Sequence, residues 1–301
     1  MRQVQQTRAE RRDSLSAVLQ ELPSTLIPVL LSSSISAVHA TATEVLTEAA
    51  TADVEIAGLV IAVGLLAASF MLRMRRDRDG ATVFGVLGFA FAVLVLAVAV
   101  GSNGWLTGAD TAVAQWFVDH RSAPLDRLAV AVTTAGGPAE TAALGLVVAV
   151  VLVWRTKRYG PALVLLATVA SASIACTLLK LIVGRERPPQ SIQLMLETDP
   201  SFPSGHVTGT ASLLLMLALI AGTRRPRAVR MLLLGIAIAL AAVVACTRMY
   251  LGVHWLTDVG AGALLAACAV TLGSYALHRL DSAGDGTDSV PPRLLMNRIS
   301  L

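Results

Sequence analysis

The sequence predicts an all-α, polytopic membrane helix bundle, with six core transmembrane helices and one additional N-terminal span. Two observations carry this reading. Only 15% of the 301 residues are charged while 55% are hydrophobic, and mean hydropathy is +0.69; a soluble domain carries about 25% charge. The few charges are also clustered, which leaves charge-free apolar runs at 56–72, 81–109, 141–154, 159–179, 207–223, 231–247 and 259–277. Most of these runs match a bilayer span of roughly 17–25 residues, and seven are too many for the buried helices of one soluble core.

Residues 1–54 form an N-terminal extension. The basic, polar "MRQVQQTRAERR" is followed by "STLIPVLLSSSISAVHATA", moderately apolar and ending in small residues. It reads either as a secretory signal with a cleavage site near Ala40 or as an interfacial or disordered segment. Residues 55–78 hold an accessory span, from the 56–72 run, and the basic loop "RMRRDR". The six-helix core covers 79–278; its short 141–154 run extends back to Pro138 with Glu140 as the only charge. The outer segment 102–137 is amphipathic, and Trp105, Trp116 and Phe117 suit the headgroup level, where aromatic rings anchor. His120, between Asp119 and Arg121, reads as a solvated surface histidine. Residues 279–301 read as a disordered tail, because "DSAGDGTDSVPP" is rich in Gly, Ser, Asp and Pro.

Basic residues set the expected orientation. "RMRRDR" (73–78), "RTKR" (155–158), "RRPRAVR" (224–230) and "HR" (278–279) fall on one side of the alternating spans, expected to be the cytoplasm. Loops 102–137, 183–205 and 249–255 then face the periplasm or cell exterior of a bacterial cytoplasmic membrane. The net charge of +4 is mostly this topology signal, not a nucleic-acid footprint. Cys176, Cys246 and Cys268 lie inside apolar runs and read as small buried hydrophobes, without disulfide or zinc spacing. Asp77 and Asp79 form a D-x-D triplet inside the basic loop and read as solvated charge; His39 and His278 have no motif partners.

Three polar patches sit at span ends: "KLIVGRERP" (180–188), "PSGH" (203–206) and "RMYLGVHWLTD" (248–258). Alternating spans bring all three to the same outer face. Ionisable residues at membrane depth are costly and mark function. Arg187 and Arg248 can hold an oxyanion in bidentate fashion, with Lys180 as a point charge. Ser204 and Gly205 precede a helix start, whose free amides and dipole favour phosphate, and Gly205 allows close backbone approach. His254 and Asp258, four apart, share a helix face. The carboxylate orients the ring and leaves the other nitrogen as nucleophile, while His206 is placed to protonate a leaving oxygen. The chemistry expected of this set is phosphoryl transfer through a phosphohistidine, ending in hydrolysis. No metal is expected, because three nearby cations repel a divalent ion, and no cofactor is expected.

Lys180 with Arg187 and Pro188, then Pro203 to His206, then Arg248, His254 and Asp258 resemble the three-part signature of the type 2 phosphatidic acid phosphatase (lipid phosphate phosphatase) superfamily. The resemblance implies six core helices and a metal-independent membrane phosphatase. It implies His254 as nucleophile, His206 as general acid and Asp258 as the partner orienting His254. Lys180, Arg187, Ser204, Gly205 and Arg248 are implied around the phosphate. One departure is Thr247, where the family usually has Ser. The implied partners are the bilayer and a lipid phosphate: phosphatidate, a polyprenyl diphosphate such as undecaprenyl diphosphate, or phosphatidylglycerol phosphate. Two competing readings are a non-catalytic lipid-phosphate binder or transporter, which does not need the intact histidines, and a vanadate-dependent haloperoxidase, a soluble class that the spans oppose.

Overall fold

A computed structural model describes residues 52–287, with side-chain surroundings to Ser282. The extension read as signal-like or interfacial falls almost wholly outside the described residues, as does 288–301. Nine α-helices are described, with no strand among the described residues: α1 (Ala52–Met74), α2 (Arg78–Gly101), α3 (Asp110–Asp119), α4 (Ala123–Ala135), α5 (Pro138–Thr156), α6 (Gly160–Val183), α7 (Gly205–Gly222), α8 (Arg227–Tyr250) and α9 (Leu256–Thr287). All except α3 and α4 are long and apolar enough to cross a bilayer. The architecture is therefore a polytopic all-α membrane bundle.

Local chemistry sets the helix limits. Asp77 caps α2 by accepting from the Gly80 amide at 2.9 Å, and prolines occupy the first turns of α4, α5 and α6, where their missing N–H goes unused. Gly184 ends α6 in the left-handed conformation at φ 60°. The helix α7 is the axis of the bundle: 56% of its apolar window is buried, against 17% for α1, α5 and α8, whose outer faces are left for lipid. Small residues let α9 approach α7 closely. A Cβ on Gly262 would lie 2.8 Å from the Ser204 carbonyl, and the Thr208 hydroxyl donates to the Gly262 carbonyl at 3.3 Å.

The span from the 81–109 run ends where the outer segment is expected to begin: α2 stops at Gly101, and a 3₁₀ turn at Trp105–Thr107 leads into α3. The structure departs from the sequence reading at three places. The outer segment holds two helices packed on the bundle. Trp105 and Trp116 are exposed, but Phe117 turns inward against Tyr250, ring centroids 6.4 Å apart. The chain stays helical to Thr287, past the expected start of a disordered tail; Arg158–Asp281 and Arg279–Asp79 pairs tie this end to the α5–α6 loop and to the first turn of α2. Cys246 is exposed on α8, because only one face of that helix meets the core; Cys176 is buried and Cys268 partly buried. His120 is exposed and stacks on Trp116, ring centroids 4.4 Å apart.

The accessory helix α1 is held by a buried carboxylate. Glu55 is 1% exposed and accepts from the Leu106 amide at 2.9 Å, beside Gly104. The polar turn after α2 thus fixes the position of α1 along the bundle.

Candidate active site

Lys180 lies at the end of α6, Ser204 to His206 at the start of α7, Arg248 at the end of α8, and His254 to Asp258 at the start of α9. The structure brings all eight residues singled out in the sequence to one end of the bundle, opposite the basic loops. The turn 251–255 delivers His254. Gly252 occupies it at φ +69°, and a Cβ there would strike the Ile192 carbonyl and lie 2.9 Å from the Arg121 guanidinium. Gly252→Ala carries roughly 1–2 kcal/mol of left-handed strain before any clash. A fall of at least about 2–8 °C in the melting midpoint in detergent is expected.

His254 is almost fully buried. Its Nδ1–H donates to Asp258 Oδ2 at 3.3 Å, a carboxylate that also accepts from the Trp255 amide at 2.9 Å. Ionised carboxylates only accept, so the ring carries its proton on Nδ1 and presents a lone pair at Nε2. Arg187 Nη1 faces that nitrogen at 3.3 Å and donates to the Val253 carbonyl at 2.7 Å. Burial, with Arg248 and Arg187 acting against Asp258, lowers the His254 pKa from 6.5 to about 4. His206, half-buried, faces Arg248 Nη1 through its own Nε2 at 3.3 Å. Each histidine is therefore paired with one guanidinium.

Two buried donors in this cluster have no hydrogen-bond partner: Ser204 Oγ and Arg248 Nε. Arg248 is 0% exposed, and Thr133 of α4 fixes its Nη1 at 2.8 Å. Unsatisfied buried donors are rare and costly, and here both suit an oxyanion. Gly205 has room: a Cβ there would meet only Cys176 Sγ at 3.8 Å and Lys180 Cε at 4.0 Å. Any need for glycine at this position therefore comes from a ligand and not from the protein. The Thr247 hydroxyl donates back to the Val244 carbonyl at 2.7 Å, within its own helix.

Sequence reasoning missed a second layer of residues. Arg185 donates to Asp258 Oδ1 and to Asp110 Oδ2, both at 2.6 Å, and to Thr257 Oγ1 at 2.7 Å. Asp110, at the start of α3, also accepts from the Thr257 amide at 2.9 Å and its hydroxyl at 2.7 Å. The Trp255 ring covers the Arg185 guanidinium at 5.5 Å. Two carboxylates from the α6–α7 loop were missed as well. Glu197 bridges Arg187, at 2.8 Å, and Arg248; Asp199 bridges Lys180 at 2.8 Å and Arg187 at 2.7 Å. Burial opposes ionisation of both, but the cations outweigh it. Arg248 and Arg187 hold Glu197 below its usual range, and Lys180 with Arg187 brings Asp199 to about 2.

The PAP2 superfamily profile matches residues 161–281, which include every motif residue above. The segment that builds the site is thus similar to the PAP2 superfamily. The chain is similar to the crystal structure of the first transmembrane PAP2 type phosphatidylglycerolphosphate phosphatase from Bacillus subtilis, at 25% identity and a TM-score of 0.60, over 66% of this chain and 97% of that one. LpxE from Aquifex aeolicus aligns at 17% identity and a TM-score of 0.44, over 55% of this chain and 94% of that one. No curated protein matches. The chain is thus an integral membrane protein with the PAP2 phosphatase fold, and the PAP2 match falls on the four helices, α6 to α9, whose ends build the site.

Proposed function

We propose that this protein hydrolyses the phosphate or diphosphate of a membrane lipid at the outer membrane face, through a phosphohistidine on His254 and without a metal. One observation carries the reading: two histidines from different helices, each facing one guanidinium of the Arg187–Arg248 pair, beside two buried donors with no partner. Basic loops at the opposite end of the bundle support the outward orientation.

In this mechanism His254 Nε2 attacks phosphorus, and the bond from phosphorus to the lipid oxygen breaks. The leaving oxygen takes a proton from His206, which must be protonated when the substrate binds. Arg187, Arg248, Lys180, Ser204 Oγ and the first amides of α7 hold the equatorial oxygens. Asp258 keeps the Nδ1 proton in place and balances the charge on the phosphorylated ring. Water then attacks phosphorus and gives its proton to His206, the P–N bond breaks, and inorganic phosphate leaves with His254 neutral again. A site at the bundle rim reaches the headgroup while the tail stays in the bilayer. Phosphatidate, a polyprenyl diphosphate such as undecaprenyl diphosphate, and phosphatidylglycerol phosphate all present the required group. The last is what the name of the Bacillus subtilis neighbour gives as its substrate.

The deciding experiment measures inorganic phosphate released by the detergent-purified protein in EDTA from phosphatidate and undecaprenyl diphosphate. Release is expected, and the faster lipid narrows the substrate. Binding of both lipids with no release from either overturns the reading in favour of a binder.

The lowered pKa of His254 adds a prediction on pH. Unfolded, this histidine takes up its proton near 6.5; folded, near 4. Between those values the unfolded chain binds more protons, so stability rises with pH across the window. Histidine ring NMR in detergent, assigned against His254→Ala, is expected to place its titration near 4. A midpoint near 6.5 counts against the buried, argininium-flanked site.

A further inference from the structure

We infer that Glu197 and Asp199 determine specificity: they occupy the phosphate cradle, keep out the singly charged phosphodiester headgroups of the surrounding bilayer, and yield to a terminal phosphate or diphosphate. The identity of the ligand rests on the phosphatase reading; the exclusion rests on the ion-pair geometry alone.

A rim site opens among lipids that are mostly phosphodiesters, at very high local concentration. Bare cations at that depth attract any of them. Here none of the three cradle cations is bare. The two oxygens of Glu197 span Arg187 and Arg248, the same guanidiniums that face His254 and His206. Its carboxylate therefore sits between the partners of the two imidazoles, where the transferred phosphoryl group belongs. Asp199 spans Lys180 and Arg187 at the rim. Glu197 is no solvated loop charge: its side chain is 21% exposed, against 59% for Asp199.

A carboxylate satisfies this cradle only in part. It brings two oxygens and one charge, and Ser204 Oγ and Arg248 Nε stay without partners. A phosphodiester also brings two free oxygens and one charge. Exchanging Glu197 for it gains nothing, and the tethered carboxylate has the advantage of effective concentration. A terminal phosphate brings three free oxygens and up to two charges. It replaces the carboxylate and also reaches the unpartnered donors, so only this class displaces the loop with a net gain. The adjoining cleft of about 390 Å³ is lined by Arg187, Gln190, Gln193, Glu197 and Asp199, so the loop carboxylates already border open space.

The test uses the full-length protein with Glu197→Gln, Asp199→Asn and the double variant. Phosphatidate hydrolysis is measured in mixed micelles with increasing dioleoyl phosphatidylglycerol, a phosphodiester. Binding of inorganic phosphate, and of the same phosphodiester micelles, is measured separately by calorimetry. The wild type is expected to resist phosphatidylglycerol. In the double variant its inhibition constant is expected to fall roughly tenfold or more, with tighter phosphate binding. Asp199→Asn alone, on the exposed rim, is expected to shift both in the same direction by less, and it reports even if Glu197→Gln fails to fold. Equal phosphodiester affinity in wild type and folded variants overturns the inference, as does a loss of kcat with both affinities unchanged. Calorimetry separates the two claims. Tighter anion binding by the variants without turnover by any protein keeps the exclusion and rejects the phosphatase. Normal turnover with unchanged anion binding does the reverse.

Discussion

His254→Ala is expected to lower kcat by at least roughly 10³-fold and to abolish a covalent phosphoenzyme. Loss of the ring does not strand the carboxylate behind it. Asp258 keeps the Arg185 guanidinium at 2.6 Å and the Trp255 amide at 2.9 Å, so the α9 start stays anchored and the variant is expected to fold. The measurement is a rapid quench with substrate labelled in the terminal phosphate. Wild type is expected to give an acid-labile, base-stable label, the stability pattern of phosphohistidine, and His254→Ala to give none. His206→Ala completes the assignment. Without its general acid it is expected to be slow on a lipid alkoxide but nearly normal in the first step with p-nitrophenyl phosphate, whose leaving group needs no proton. Label in the His254→Ala protein, or an equal His206→Ala deficit on both substrates, contradicts the assigned roles.

The site was legible where its residues lie in short motifs at span ends. Alternating topology forces Lys180, His206, Arg248 and His254 to one end of the bundle whatever the details of packing. What the sequence hid are partners that acquire meaning only from the fold. Arg185 lies two positions before Arg187 and reads as one more rim charge, yet its side chain turns to Asp110, 75 positions earlier. The signal available for Asp110 was slight: a lone carboxylate ending the 81–109 apolar run at a helix start. Glu197 and Asp199 sit in "LETDPS", which has the composition of a solvated loop. Nothing in its pattern says that the loop folds back onto the cations. The outer segment read as one amphipathic stretch because α3 and α4 are short and joined by a few polar residues. The inward turn of Phe117 depends on Tyr250, more than a hundred residues away.

Arg185 is a positioning residue, and Arg185→Ala carries the second large expected effect. The guanidinium is shared by two nearly fully buried carboxylates, Asp110 and Asp258. Removing it leaves both charges without that cation, a change of about 3–5 kcal/mol for a buried pair, and a marked drop in melting midpoint is expected. A structural role alone predicts only that drop. Positioning predicts more in the fraction that stays folded. Without Arg185 the full charge of Asp258 falls on His254, so the histidine holds its proton more tightly and its NMR titration moves up from about 4. The acid limb of kcat/KM is expected to move up with it. Expected kcat falls roughly 10²-fold, while KM changes less, because the Arg185 guanidinium is engaged by Asp110, Asp258 and Thr257. Arg185→Lys keeps the charge but lacks the fork that reaches both carboxylates. It is expected to restore the His254 titration further than it restores kcat, since the first depends on charge and the second on geometry. An unchanged titration in Arg185→Ala protein that remains folded would leave Arg185 a structural strut and nothing more.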